Sequence, residues 1–436
     1  MFLVVCEGAI RKWGFPLLQA QLYLVKDVLL IVAYVGFLSS GLRSGVHLRV
    51  MGALKVLLIV SVFYFSVEIL NPNSPSLILS VVGFKNYLLY APLAFIVPYM
   101  FSSSSDLERK LRSYAFIMIP FAGLGLVQFT FGPDHWINGY LSHDSENLRD
   151  AVVFGTSRAR TTGTFSYIGG YTAFLTVMFY LAASLAASKK WKFSESRWPL
   201  MLLTVTFAAM FTTGSRGPIY VAIITTPLLL YVWSRSKLMS AGSVAPMGLA
   251  CAIVYLGVTF VAGDAIEAYQ YRAQTSDDPI ERLLSPLTEP YVAVQVSPIF
   301  GSGLASTNSA AVTIMQTAEF WWLNYYFELE TARVIQETGV IGFVLVYAPR
   351  VWLLITAITL GVRFRNPLYA AISGGLAGLF AQDLAYFVIN NATGGIYHWF
   401  GAGLLFAMYR LECEEKSALA SARRASAFDR RALVRA

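Results

Sequence analysis

Apolar residues run along this chain in long blocks, not in the single-faced helical stripes or two-residue alternations of a water-soluble fold. About eleven blocks are long enough to cross roughly 30 Å of hydrocarbon as helices. They lie near 22–39, 50–70, 76–100, 111–131, 166–187, 199–214, 218–234, 243–262, 334–361, 367–389 and 393–410. Only the turn Gly214-Ser215-Arg216-Gly217 separates the sixth from the seventh. The pattern predicts an all-α, polytopic membrane protein, with 1–410 as one transmembrane domain and 411–436 as a basic, irregular tail. Met1 to Cys6 reads as the last turns of a further helix, so a twelfth span is expected in the natural protein. Two connections, 132–165 and 263–333, are long enough to build a site.

Composition agrees with that reading. Of 436 residues 56% are hydrophobic and 13% charged, against roughly 25% charged in a soluble domain. The net charge of +8 does not point to nucleic acid, because the basic residues are sorted by loop. Arg43 and Arg49; Arg109, Lys110 and Arg112; Lys189, Lys190, Lys192 and Arg197; Arg235 and Lys237; and Arg363 and Arg365 occupy every second connection. The short alternate loops 71–75, 214–217 and 390–395 carry only Arg216. By the positive-inside rule the basic set and the carboxyl terminus face the cytoplasm, and the two long connections face outward. Arg423, Arg424, Arg430, Arg431 and Arg435 then place the tail near anionic lipid headgroups. Cys6, Cys251 and Cys413, with four scattered histidines, give neither a disulfide framework nor a metal motif. No phosphate-binding glycine loop or dinucleotide fingerprint occurs, so an ATP-driven pump finds no support.

Chemistry concentrates in a few places. From Glu328 to Gly342 the chain reads ELETARVIQETGVIG, with three carboxylates and one arginine at the entrance to an apolar helix. Glu330, Arg333 and Glu337 fall on one helical face, the cation one turn from each anion. Glu328 falls off that stripe and is the better candidate for a base; a salt-bridged helix start is the plain alternative. Arg158 and Arg160 precede Thr161-Thr162-Gly163-Thr164-Phe165, whose backbone N–H groups could face an anion; snorkelling to headgroups is the alternative. In Thr212-Thr213-Gly214-Ser215-Arg216-Gly217-Pro218 a helix N-terminus beside an arginine makes a natural anion site. Gly301 and Gly303 in Pro298-Ile299-Phe300-Gly301-Ser302-Gly303-Leu304 permit a sharp turn or a close backbone approach. The aromatic run 320–327 fits either stacking on sugar rings or an interfacial belt. Asp277-Asp278 and the Glu281/Arg282 pair read as a solvated face. Lys26, Asp27, Glu68, Lys85 and Asp383 lie within predicted spans and need partners, Lys85 with Asp27 or Asp383 among the options.

Taken in order, the Arg160-Thr-Thr-Gly-Thr-Phe, Thr-Gly-Ser-Arg216-Gly, Pro-x-x-Gly301-x-Gly303-Leu and Glu337-Thr-Gly339-Val-Ile-Gly342 elements resemble the O-antigen ligase and polymerase superfamily. The likeness runs from about 150 to 345, and Glu7-Gly8-Ala9-Ile10-Arg11-Lys12-Trp13 resembles a sub-branch of uncharacterised members. The resemblance implies a GT-C type glycosyltransferase of the bacterial inner membrane, acting on the periplasmic face without metal or nucleotide cofactor. Its donor would be an undecaprenyl-pyrophosphate-linked oligosaccharide and its acceptor a second glycan or lipid A core. Arg160 and Arg216 match the positions expected to hold the pyrophosphate. Many ligases carry a His-Asn pair about nine residues before the position of Glu337; here Glu328 stands there with no histidine nearby, which favours polymerase over ligase.

These residues predict the roles. Arg216, Arg160 and Arg158 stabilise the leaving pyrophosphate, Glu328 accepts the proton of the attacking hydroxyl, and Arg333 and Glu337 orient the helix mouth. Direct displacement predicts inversion. A transporter or flippase of lipid-linked sugars, coupled through its intramembrane charges, is the alternative.

Overall fold

The computed structural model describes residues 1–39, 51–139, 153–154, 158–239, 241–275, 279–317 and 319–435. Expectations resting on Arg43, Arg49, Asp277 and Asp278 lie outside them, as do those on the side chains of Glu281, Arg282 and the last basic residues. The described chain is almost wholly helical. A short α1 (Phe2–Ala9) and a π-helical turn (Ile10–Gly14) lead into α2 (Gln19–Ser39). Then come α3 (Gly52–Glu68), α4 (Leu77–Leu88), α5 (Leu93–Ile96) and α6 (Ser104–Phe129). A two-residue antiparallel pair, β1 (Val153–Phe154) and β2 (Arg158–Ala159), precedes α7 (Ile168–Ser188), α8 (Phe193–Thr212) and α9 (Gly217–Arg235). The rest comprises α10 (Ala241–Thr275), α11 (Pro279–Val296), α12 (Ser309–Ile314), α13 (Glu330–Arg363), α14 (Pro367–Gln382) and α15 (Ala392–Arg435).

Every apolar block read from the sequence is occupied by helix, and six helices are long and apolar enough to cross a membrane. They are Gln21–Ser39, Leu77–Tyr99, Ser104–Phe129, Ile168–Ser188, Gly217–Arg235 and Glu330–Arg363. Exposed apolar side chains such as Val32, Val35, Ile59 and Phe63, each at least 60% accessible, suit a lipid-facing surface. The most buried packing lies among α7, α8, α14 and α15, around Tyr171, Phe174, Phe380 and Phe406.

Three boundaries differ from expectation. The block 367–389 is not helical throughout: α14 stops at Gln382, and 383–391 is irregular. Residues 263–275 continue α10 without entering a loop. Beyond Arg410 the chain remains helical to Arg435 where an irregular tail was expected.

Among the described residues, the connections after α5, α7 and α13 gather at one end of the bundle, as their alternation along the chain predicts. There Arg112 donates to the Glu195 carbonyl at 2.7 Å, Lys189 meets Glu108 at 3.1 Å, and Asn366 donates to Ser104 at 2.9 Å. The opposite end collects the C-termini of α3, α6, α8 and α14 and the N-termini of α7, α9, α13 and α15. The Arg160, Arg216, Gly301-x-Gly303 and Glu337 elements lie there.

Glycine shapes the mouth of α13. Gly339 sits at φ 65°, ψ −175° inside the helical run, and this break frees the carbonyls of Gln336 and Glu337. Freed buried carbonyls need donors. They receive the N–H groups of Ser302, at 2.7 Å, and Gly303, at 3.0 Å. A Cβ on Gly301 (φ +73°) would lie 2.4 Å from the Glu337 backbone, and one on Gly339 1.9 Å from the Ile299 carbonyl. The Pro-x-x-Gly-x-Gly element and the Glu337-Thr-Gly element are thus two halves of one joint.

Candidate functional site

The Arg160 element and the Arg216 turn are hydrogen-bonded to each other. The Thr161 N–H donates to the Thr212 carbonyl at 3.1 Å, and the Thr161 and Thr212 hydroxyls meet at 2.6 Å. Arg160 reaches over the turn, Nε to the Thr213 carbonyl at 3.0 Å and Nη2 to Ser215 Oγ at 3.2 Å. Half-buried Arg216 is the N-cap of α9, which no side chain caps, and Pro218 enters its first turn. An uncapped helix N-terminus carries about half a positive charge and unsatisfied N–H groups. The Arg160 guanidinium therefore sits on the turn from which Arg216 opens the helix, at that helix's electropositive end.

One expectation here is overturned. The Thr161–Phe165 backbone offers little to an anion, because four of its five N–H groups already have partners. Gln128 Oε1 accepts those of Thr162, at 3.2 Å, and Gly163, at 2.7 Å, while Thr161 bonds Thr212 and Phe165 bonds Thr162. Gln128 also donates from Nε2 to the Gly163 carbonyl at 3.0 Å and the Ile137 carbonyl at 2.9 Å. A buried loop must satisfy its own backbone, and this one does so through a glutamine on α6 that the sequence reading did not single out. Arg158 stands apart from Arg160. It makes a solvent-accessible 3.3 Å ion pair with Asp264 and donates to the Phe129 and Thr130 carbonyls.

At the mouth of α13 the three charged residues share a face but not each other. Glu330 is fully buried and pairs with Arg350 at 2.7 Å. It also accepts N–H groups from Val388 and Ile389 at 2.8 Å and Asn390 at 3.3 Å. Glu337 accepts from Tyr87 at 2.8 Å, the Ala305 N–H at 3.1 Å, the Thr307 N–H at 3.2 Å and the Thr307 hydroxyl at 2.5 Å. Arg333 donates to the Thr307 carbonyl and the Tyr326 hydroxyl, its guanidinium 4.8 Å from the Tyr326 ring centre. The expected ladder of pairs centred on Arg333 does not form. An intrahelical ion pair contributes only about 0.2–0.5 kcal/mol, whereas a buried carboxylate is held by several charge-assisted bonds to packed neighbours. Glu328 lies two residues ahead of the helix and is exposed, next to the aromatic run in which Phe320 stacks on Tyr326 at 5.0 Å.

Residues 383–391 join the two groups. Tyr386 lies against the Arg216 turn so closely that a Cβ on Gly217 would fall 1.0 Å from its hydroxyl. The Phe387 ring centre is 5.9 Å from the Arg333 guanidinium carbon, and Asn308 donates to Asn390 at 2.8 Å. Glu330 grips three consecutive N–H groups of this segment. Arg350 donates to the Asp383 carbonyl at 2.8 Å, and fully buried His398 holds the Asp383 carboxylate at 2.7 Å. A small cleft opens beside it, lined by Thr172, Gln382, Asp383, Tyr386 and Asn391 among others. The sequence reading took this segment for the end of a span. Its signals were Asp383 and the run Asn390-Asn391-Ala392-Thr393-Gly394-Gly395.

The other charges within the predicted spans have partners: Lys85 with Asp27 at 2.6 Å, Lys26 with Glu7 at 2.9 Å, and Glu68 with Asn71 at 2.8 Å. Among the described residues no three His, Cys, Asp or Glu side chains are placed to hold a metal ion. No protein-family model matches the chain, and no curated protein matches it.

Proposed function

We propose that the chain is an inner-membrane glycosyltransferase that moves a glycan from an undecaprenyl diphosphate to an acceptor hydroxyl, as an O-antigen or exopolysaccharide polymerase or ligase. The observation that carries the reading is the seating of the Arg160 guanidinium on the turn whose Arg216 opens α9, at a helix N-terminus without a side-chain cap. Arginine suits a diphosphate because its planar fork can hold two oxygens of one phosphate. As the glycosidic bond breaks, the electron pair passes to the diphosphate oxygen, and fixed cations around the developing charge lower the barrier. The acceptor oxygen attacks the anomeric carbon from the opposite side, its proton passes to Glu328, and the new linkage is inverted. Glu328 is exposed beside aromatic faces on which a sugar ring can stack. Arg333 and Glu337 act one step back, tying the 301–307 loop and Tyr326 to the mouth of α13, and Gly301 and Gly303 let that loop approach it. Arg158, engaged with Asp264, contributes less than Arg160.

In this reading the motif end of the bundle faces the periplasm and the basic loops and carboxyl terminus face the cytoplasm; eleven helices span, with no metal or other cofactor. Against a transporter or flippase stands the pairing of Lys85, Lys26 and Glu68, which leaves those charges committed to neighbours. The test is deletion of the gene followed by surface-glycan analysis. Loss of long chains with single repeats retained indicates a polymerase, and unattached lipid-linked polymer indicates a ligase. An unchanged glycan, or lost glycan with lipid-linked repeats trapped on the cytoplasmic leaflet, refutes the transferase.

A further inference from the structure

The segment Glu7–Trp13 plays no part in that chemistry, yet it is packed on the back of the Arg160 loop. A Cβ on Gly8 would fall 2.4 Å from the Thr164 carbonyl, and Thr164 donates to the Val5 carbonyl at 2.6 Å. Lys12 Nζ donates to Thr162 Oγ1 and the Gly163 carbonyl, both at 2.9 Å, and Arg11 Nη1 to Ser166 Oγ at 3.0 Å.

Charge there does not balance. Arg11, Lys26 and Lys85 lie 5.3, 3.5 and 5.1 Å from the centre of one ring, that of Tyr23, and Lys12 lies 4.7 Å from the Trp13 ring. Facing these four cations, the described carboxylates are two. Glu7 serves Arg11 at 3.1 Å and Lys26 at 2.9 Å, and Asp27 serves Lys85 at 2.6 Å. Among the described residues Lys12 bonds neutral oxygens alone. Uncompensated cations in a half-buried place are costly, and burial lowers the Lys12 ammonium to about 7. Two buried atoms of the segment, Arg11 Nε and Trp13 Nε1, have no hydrogen-bond partner among the described residues. Both are donors. A ligand complementary to these donors and cations is anionic and presents acceptors, which describes a phosphate. Directly after the cations in sequence the chain exposes Phe15 (58%), Leu17 (90%) and Leu18 (49%). Head and tail of an amphiphile match that sequence of surfaces.

We propose that Arg11, Lys12 and Trp13 bind the phosphate headgroup of a membrane lipid on the face of the Arg160 loop opposite the Arg216 turn. This site stands without the transferase reading. It is tested on the full chain in detergent by native mass spectrometry, titrating undecaprenyl phosphate, phosphatidylglycerol or inorganic pyrophosphate. A retained lipid adduct is expected, its affinity reduced at least tenfold in Lys12→Gln and at least threefold in Trp13→Phe. Glutamine can still donate to Thr162 and Gly163, and phenylalanine removes little beyond the indole N–H, so both variants should keep their melting temperature. Preference for undecaprenyl phosphate identifies a polyprenyl carrier and preference for phosphatidylglycerol a bulk lipid; either supports the site. Pyrophosphate binding as tightly as both lipids, or wild-type lipid affinity in both variants, overturns it. Weakening by Arg216→Ala alone would remove this site while leaving the proposed donor site standing.

Discussion

Replacing Glu330 probes the element on which the two halves of the site depend. Its carboxylate is fully buried, pairs with Arg350 at 2.7 Å and accepts the N–H groups of Val388, Ile389 and Asn390. Glu330→Ala leaves the Arg350 guanidinium buried without its counter-ion, a change that costs about 3–5 kcal/mol. It also strands up to three backbone donors at about 1–3 kcal/mol each where the segment cannot relax to recover them. A loss of at least about 3 kcal/mol is expected. Glu330→Gln keeps an acceptor for part of that set and should cost less. Arg350→Met should cost a similar amount to Glu330→Ala, because it orphans the carboxylate and the Asp383 carbonyl. In the pair Glu330→Gln/Arg350→Met the two losses overlap, so the double variant should be more stable than their sum by about 2 kcal/mol or more. Denaturant titration in mixed micelles, followed by tryptophan fluorescence, supplies the cycle. Limited proteolysis reports whether 383–391 opens. Additive losses, or a cost below about 1 kcal/mol for Glu330→Ala, would refute the claim that this ion pair holds the joining segment.

Further outcomes follow from single contacts. Gln128→Ala removes four hydrogen bonds to the 161–163 loop and its surroundings; a destabilisation of about 2–4 kcal/mol is expected in the same titration. Gly217→Ala forces Tyr386 off the Arg216 turn, so glycan output should fall while the protein still inserts, and adding Tyr386→Ala should cause little further loss. Lys12 titrates near 7 in the folded protein against 10.5 ordinarily. The unfolded chain therefore holds the extra proton between those values, and stability of the delipidated protein should rise with pH across that window. The slope is at most about 1.4 kcal/mol per unit. Melting curves at pH 7, 8 and 9 should show it, and Lys12→Met should flatten it.

Helix placement was legible because apolar block length is a local property of the chain, and α6, α7 and α13 fall where the blocks lie. The pairing of the Arg160 element with the Arg216 turn, and of Gly301 and Gly303 with Glu337 and Gly339, was legible only as motifs in order. Which backbone groups they join is a tertiary fact. Partner choice was the least readable layer. Glu330 and Glu337 share a helix face with Arg333, yet each is claimed by a different packed element, because buried carboxylates follow the density of donors around them and not sequence spacing. The segment 383–391 was hidden by its own composition: Leu384, Phe387, Val388 and Ile389 extend the apolar block past the point where α14 stops. Gln128 gave no signal at all, being one polar residue near the end of an apolar helix.

The central claim is that Arg160 and Arg216, at the N-terminus of α9, hold the departing diphosphate. Purified protein supplied with undecaprenyl-diphosphate-linked glycan and an acceptor glycan should release undecaprenyl diphosphate. Arg216→Ala should slow that release about 100-fold or more, Arg160→Ala should act in the same direction, and Arg158→Ala should change it less than threefold. Wild-type release rates in both Arg216→Ala and Arg160→Ala, with the variants still folded, would contradict the account.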